Sequence, residues 1–263
     1  MKYRIAFLLI ISSVILTTSC SKFQKLLKSS DNELKYNKAI EFYEKEKYYK
    51  AQQLFDQILV FYRGTDKAEM ISFYSANCYY KQDDYILGGY YFKTFSNTYP
   101  TSKYAEEAAY LSAYCSYLES PRASLDQSNT KDAINSLQLF INQFPNSDKV
   151  ERCNALIDEL RAKLEQKAID IALLYYKMQD YKAAVVSLGN VLKEFPSTSK
   201  KEDVVFYLVQ SNEQLAIKSI DSKKKERIQN AIEACDRYTT EFAQGKYFDQ
   251  VILIKEKLQK SVK

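Results

Sequence analysis

The chain has 263 residues, 46% of them hydrophobic, with 38 basic against 33 acidic side chains and a formal net charge of +5. It contains no histidine and no tryptophan, and only 5 Gly and 4 Pro. Without histidine it lacks the usual general base and the commonest metal ligand, so the composition argues against an enzyme and predicts no metal or cofactor. The charges are too evenly matched for a nucleic-acid binder. Few turn residues, with much Ala, Leu, Lys, Glu and Gln, predict a mostly helical chain with few turns of the kind that need glycine.

The chain begins MKYRIAFLLIISSVILTTSC. Lys2 and Arg4 precede an apolar run from Ile5 to Leu16, then Thr17, Thr18, Ser19 and Cys20. The run is too short to span a hydrocarbon core about 30 Å thick. Its size suits the central region of a secretory signal. The segment resembles a bacterial lipoprotein signal, although the aliphatic residue typical three before the cysteine is here Thr17. That resemblance implies removal of residues 1–19 and acylation of Cys20, several acyl chains giving stable anchorage. An ordinary signal cut near Ser19, or an uncleaved anchor, are the alternatives. Residues 20–32 follow as lipidated N-terminus and linker.

From residue 33 a repeat is visible. Small residues at Ala51, Gly88, Ala133, Ala184 and Ala231 are followed four later by Phe55, Phe92, Leu137, Leu188 and Cys235. Seven later come Ile58, Phe95, Phe140, Val191 and Tyr238, and eleven later Tyr62, Tyr99, Phe144, Phe195 and Phe242. That spacing marks one helix face. Pro100, Pro145 and Pro196 stop three of these helices, and Thr65, Ser102, Ser147 and Thr198 are placed to cap the next. The helix ahead repeats too, with Ala39, Ala76 and Ala113 spaced 37 apart. These columns resemble the tetratricopeptide repeat, without its signature Trp. The expected fold is all-α, a tetratricopeptide-like superhelix of about five helix pairs. Residues 33–149 form N-terminal repeats and residues 150–263 C-terminal repeats. Glu119 to Asn129 is expected as a polar loop and Glu151 to Asp180 as one long helix.

On the first helix of each pair a second stripe carries Tyr36, Tyr43, Phe73, Asn77, Tyr80, Tyr110, Tyr114 and Tyr117. In such arrays this face lines the concave side. Ile169, Leu173 and Tyr176 continue it, with Lys81 and Lys177 at the rim. An aromatic groove suits an extended peptide with aromatic side chains, because each ring offers about 150–250 Å² and tyrosine keeps a hydroxyl for the peptide backbone. The rings could equally fill a tightly curved array and touch one another.

With the lipid signal, the polar insert holding Asp126 and Gln127, and the runs TKDAINSLQLFINQFPNS and LIDELRAKLEQKAIDIALLYYKMQDYKAAVVSLGNVLKEFPST, the chain resembles the BamD family. The resemblance covers residues 20 to about 250. It implies a non-enzymatic, lipid-anchored, periplasm-facing scaffold at the outer membrane of a Gram-negative bacterium. Its partners would be the BamA-type barrel protein through the C-terminal half, other assembly lipoproteins, and unfolded barrel proteins. The C-terminal aromatic signals of those substrates would be received by the N-terminal half, where the stripe lies. The rival reading is an unrelated tetratricopeptide lipoprotein acting as adaptor in cell division or peptidoglycan synthesis. A carbohydrate site lacks the clustered carboxylates and amides it needs.

Two features remain. Cys78, Cys115, Cys153 and Cys235 make no CxxC or zinc spacing and read as buried thiols, although a Cys78–Cys115 pair is conceivable. The last unit has Ala243 after Phe242 in place of Pro, and the run from Lys223 to Arg227 reads as a solvated loop or helix start.

Overall fold

The repeating columns become helix pairs. In the computed structural model residues 22–261 are described; the expected signal and Cys20 lie outside the described residues. A short helix α1 covers residues 22–27. Then follow α2 (Asn32–Glu44), α3 (Tyr48–Ile58), α4 (Asp66–Tyr80), α5 (Tyr85–Thr98), α6 (Ala105–Leu118), α7 (Ser128–Gln143), α8 (Val150–Lys177), α9 (Tyr181–Glu194), α10 (Lys201–Ile217), α11 (Asp221–Glu241) and α12 (Phe248–Lys260). Among the described residues there is no strand.

The helices form two compact units. One holds residues up to Pro121 and Ser128–Leu160, the other Arg122–Gln127 and the residues from Arg161 onward. The boundary between these units runs through α8. In the first unit α2 packs on α3, α4 on α5 and α6 on α7. The first half of α8 closes it, with Cys153, Leu156 and Leu160 against Leu137 and Phe140. In the second unit Ile169 and Ala172 of α8 meet Leu188 and Val191 of α9, and α10, α11 and α12 follow in turn. Phe23 of α1 is buried against Phe42, ring centroids 5.6 Å apart, which ties the start of the described chain to the first pair.

The column spaced four after each small residue is fully buried: Phe55, Phe92, Leu137, Leu188 and Cys235 are all 0% exposed. The aromatic eleven on is the point where helices stop. Tyr99, Phe195 and Phe242 cap α5, α9 and α11 with φ of −124°, −127° and −125° and ψ of 61°, 65° and 57°. Pro disfavours helical geometry for the residue before it, which accounts for the first two. Phe242 adopts the same shape without Pro. There Gly245 comes close, and a Cβ on it would lie 2.7 Å from the Tyr238 hydroxyl.

The expected caps act differently. Thr65 stands at the N-cap of α4, but its hydroxyl donates back to the Tyr62 carbonyl at 2.7 Å. Ser102, Ser147 and Thr198 stand ahead of the N-cap, and each accepts from the backbone N–H two residues on, at 3.0, 3.1 and 3.1 Å. The same hydroxyls donate to Glu69, Glu106 and Glu165 at 2.6, 2.7 and 2.6 Å. In the outer pairs a tyrosine does this: Tyr62 to Glu33 at 2.9 Å and Tyr238 to Glu202 at 2.7 Å. Each of five pairs thus has a hydroxyl latched to a carboxylate of its first helix, a charge-assisted bond.

Turns also depart from expectation. Glu46, Asp83 and Gln179 take φ of 56°, 60° and 62° between the two helices of a pair, so a left-handed turn is made three times without glycine. Asp84 and Asp180 then cap α5 and α9, accepting from the N–H groups of Leu87 and Ala183 at 3.1 Å each. The polar insert holds itself together. Gln127 is buried, and its amide donates to the carbonyls of Arg122 and Leu125 at 2.9 and 3.0 Å. Cys78, Cys115, Cys153 and Cys235 are buried free thiols, and burial pushes Cys78, Cys115 and Cys235 up to about 12.

In the last pairs Asp203 receives the Lys246 ammonium at 2.6 Å and the Tyr247 hydroxyl at 2.7 Å, while the Tyr247 ring stacks on Phe206 at 3.8 Å. The hydrogen bond from Lys246, then that from Tyr247, hold the Asp203 carboxyl below its ordinary value.

Three outcomes are expected in thermal unfolding followed by circular dichroism. Thr198→Val keeps the shape but leaves Glu165 without its donor, lowering stability by about 1–3 kcal/mol. Glu46→Gly relieves a left-handed side chain and raises stability by about 1 kcal/mol. A lowered carboxyl stabilises the fold above the unfolded aspartate value of about 3.9 and loses that contribution as pH falls from there through its lower folded value. Asp203→Asn should therefore flatten the fall in melting temperature on acidification below that value; an unchanged slope would show that Asp203 does not carry it.

Candidate partner-binding surfaces

In the first unit the predicted stripe separates into an edge and an interior. Tyr36, Tyr43, Tyr80, Tyr110, Tyr114 and Tyr117 are half-buried. Phe73 and Asn77 are buried. The Phe73 ring stacks on Tyr104 at 4.5 Å and meets Phe95 at 5.4 Å, so it is core. The Asn77 amide donates back to the Phe73 carbonyl at 3.0 Å. On α4 the accessible edge is therefore shifted by one residue, to Tyr74, which is half-buried and faces Tyr43 at 4.6 Å. Tyr74 and Tyr104 were missed by the sequence reading. For Tyr74 the available signal was its spacing of four from Met70 on the same helix face.

The six remaining rings fall into three groups. On α2, Tyr36 donates to the Met70 sulfur at 3.1 Å and lies under the Lys67 ammonium at 4.7 Å. Tyr43 packs between Tyr48 and Tyr74, and burial, then the neighbouring Cys78, Tyr48 and Tyr74, push its phenol up to about 12. On α4, Tyr80 meets Tyr85 and Phe92 at 5.9 and 6.3 Å, with the Lys81 ammonium 5.8 Å from its ring. Burial raises Tyr80, with Tyr114 and Tyr110 of α6 close enough to add to it. On α6 the rings of Tyr110, Tyr114 and Tyr117 form a ladder, with centroids 5.9 and 5.6 Å apart and planes within 13° and 16°. Tyr117 ends it by donating to Glu159 at 2.6 Å, and that bond first, then burial, raises its phenol. Every shifted phenol moves upward and so stays protonated; Tyr117 already donates that proton to Glu159, as Tyr36 donates its own to Met70. No group here is a nucleophile held by a base.

A cavity of about 670 Å³ lies elsewhere in the unit, between α3, α4 and α5. Leu59, Tyr91, Phe95 and Tyr99 give it apolar walls, and Arg63 and Asp56 are its charged lining. Asp56 is already engaged by the hydroxyls of Ser75 and Tyr79 at 2.7 and 3.0 Å. None of the predicted stripe lines this cavity.

In the second unit Ile169 is buried, and Leu173 and Tyr176 are half-buried. The Tyr176 hydroxyl donates to Gln210 at 3.1 Å. A different row of α8 is open. Ile171, Leu174, Tyr175 and Met178 share one helix face and are 42%, 54%, 36% and 66% exposed. Among the described residues no helix is long and apolar enough to cross a membrane.

Comparison with known proteins identifies the architecture. A family model described as YfiO, outer membrane lipoprotein, matches residues 28–228. The outer membrane protein assembly factor BamD of Rickettsia prowazekii (strain Madrid E) is 28% identical over 181 residues, covering 67% of this chain and 70% of that protein. BamD of Pasteurella multocida (strain Pm70) is 21% identical over 216 residues, covering 78% and 83%. BamD of Caulobacter vibrioides is 26% identical over 117 residues, covering 44% and 38%. The match runs from just before α2 into the first turns of α11, over four latched pairs and part of the fifth, and the chain belongs to the YfiO/BamD family of outer membrane lipoproteins.

Proposed function

We propose that this chain is a non-enzymatic scaffold in the assembly of outer-membrane β-barrel proteins, anchored by acylated Cys20 and facing the periplasm. The observation that carries the reading is the half-buried phenol edge of the first unit, in a chain of the BamD family. Tyr80, Tyr114 and Tyr117 offer ring faces to an aromatic side chain, and Tyr80 and Tyr114 keep hydroxyls for a peptide backbone while that of Tyr117 is engaged by Glu159. That chemistry suits the aromatic C-terminal signal of an unfolded barrel protein. Phe73 and Asn77 support the edge from within. The open row Ile171, Leu174, Tyr175 and Met178 of the second unit supports a lasting protein interface there, since such apolar rows are otherwise covered. A BamA-type barrel protein is its proposed occupant, and other assembly lipoproteins would join the same complex. The chain supplies binding surfaces and position, with no reaction of its own.

Tyr80→Ala combined with Tyr117→Ala should weaken capture of a peptide ending in an aromatic residue. The loss should be about 30-fold per anchoring ring if each contributes about 2 kcal/mol. Fluorescence anisotropy of a labelled peptide reads this, with circular dichroism as control. Unchanged affinity with a lowered melting temperature would assign the rings to packing alone. Affinity purification from membranes should return a barrel protein of the BamA type; its absence would sink the scaffold reading.

A further inference from the structure

The turn between α10 and α11 combines two exposed features. Ile217 and Ile220 stand 44% and 69% exposed on either side of Lys218 and Ser219. Lys223, Lys224 and Lys225 follow in the opening turns of α11. Lys223 and Lys225 are exposed and Lys224 half-buried, and among the described residues none of the three ammonium groups has a hydrogen-bond or ion-pair partner. Three adjacent cations at the positive end of a helix work against its dipole, with only Asp221 opposing them in the first turn.

The turn itself is tied down. Arg227 donates to the Ser219 hydroxyl at 2.7 Å, and that hydroxyl donates to the Leu215 carbonyl. Lys218 donates to Gln179 at 2.6 Å, with its ammonium 5.0 Å from the Tyr181 ring. The isoleucines and lysines are thus presented by a held turn rather than a loose loop.

We propose that this turn rests on an anionic phospholipid surface. Ile217 and Ile220 enter the headgroup boundary while Lys223, Lys224 and Lys225 meet lipid phosphates. Charge complementarity calls for an anionic partner, and the exposed Ile217 and Ile220 flanking the same turn favour a headgroup boundary, which takes apolar and cationic side chains together. The inference rests on the lipid-anchored reading, which keeps the chain at a membrane surface, and it gives the second unit a contact of its own with that surface.

The test uses the full lipidated chain with phosphatidylcholine vesicles, with and without phosphatidylglycerol. Ser222→Cys carries an environment-sensitive dye; the four native thiols of the described residues are buried and spare the label. The dye should shift to the blue and resist an aqueous quencher only with anionic vesicles, and high salt should reverse this. Each lysine replaced by glutamine should lower the equilibrium constant for docking about fivefold, since a lysine near an anionic surface contributes about 1 kcal/mol. Ile220→Asp should abolish the shift at unchanged melting temperature. A dye that stays in water with anionic vesicles overturns the proposal. So does an equal shift at a control label on Glu233→Cys, or a shift that needs an added acidic protein. Failure of the anchor appears separately, as chain that does not float with neutral vesicles; the anionic vesicles still decide the proposal.

Discussion

At Gly88 two helices touch with nothing between their backbones. A Cβ there would lie 3.1 Å from the Tyr80 nitrogen and 3.3 Å from its Cα. One residue on, a Cβ at Gly89 would lie 3.1 Å from that of Cys115. Helix α5 therefore packs against α4 on one side and α6 on the other with no room for side chains. The alanines of the same column, Ala51, Ala133, Ala184 and Ala231, are 0% exposed. Close approach of this kind sets each pair, and through it the placement of the phenols. Tyr80 is fixed because its own backbone is the surface on which Gly88 rests.

Small residues permit contact but do not set where along its length each helix stops. The hydroxyl latch adds that. It joins residues 29 to 41 apart in sequence, Glu33 to Tyr62 and Glu106 to Ser147 being the extremes. Three latches use a Ser or Thr past the end of the second helix, and the first and last use a tyrosine. The change of donor explains how the last pair keeps the geometry of the others without Pro after Phe242. The Tyr238 hydroxyl reaches Glu202 and also accepts from the Tyr247 N–H at 3.2 Å, so one buried phenol both latches the pair and starts α12.

The columns were legible because they obey a fixed helical spacing and a steric rule that composition alone reveals. The latches were not, since Ser, Thr and Tyr in turn look like ordinary caps or core residues, and their partner lies a whole helix away. The left-handed turns at Glu46, Asp83 and Gln179 were hidden for a related reason: the expectation from low glycine content assumed that glycine is needed there. The aromatic stripe was half legible. Spacing located the right helices, but a helix has several parallel rows, and a rotation of one residue separates buried Phe73 from accessible Tyr74. Sequence periodicity gives the row's existence; the angle at which the next pair leans on it decides which row is covered.

That covering also explains the choice of tyrosine under the proposed function. A phenylalanine edge of the same size would be an aggregation liability, while charged side chains could not stack on one another as Tyr110, Tyr114 and Tyr117 do. Tyrosine keeps the ring in contact with the core and the hydroxyl at the boundary. Burial raises Tyr43, Tyr80 and Tyr110, and the bond to Glu159 first raises Tyr117, so these phenols stay neutral; the carboxylate of Glu159 at this border is held by the Tyr117 hydroxyl. Lys81 beside Tyr80 adds positive charge at the same border, while Lys67 over Tyr36 is paired with Glu33 at 2.6 Å. An aromatic edge of neutral phenols with Lys81 beside it is complementary to a chain that ends in an aromatic ring and a carboxylate. The second unit offers the opposite chemistry on α8, an aliphatic row with a single phenol, suited to a permanent neighbour rather than to passing substrates.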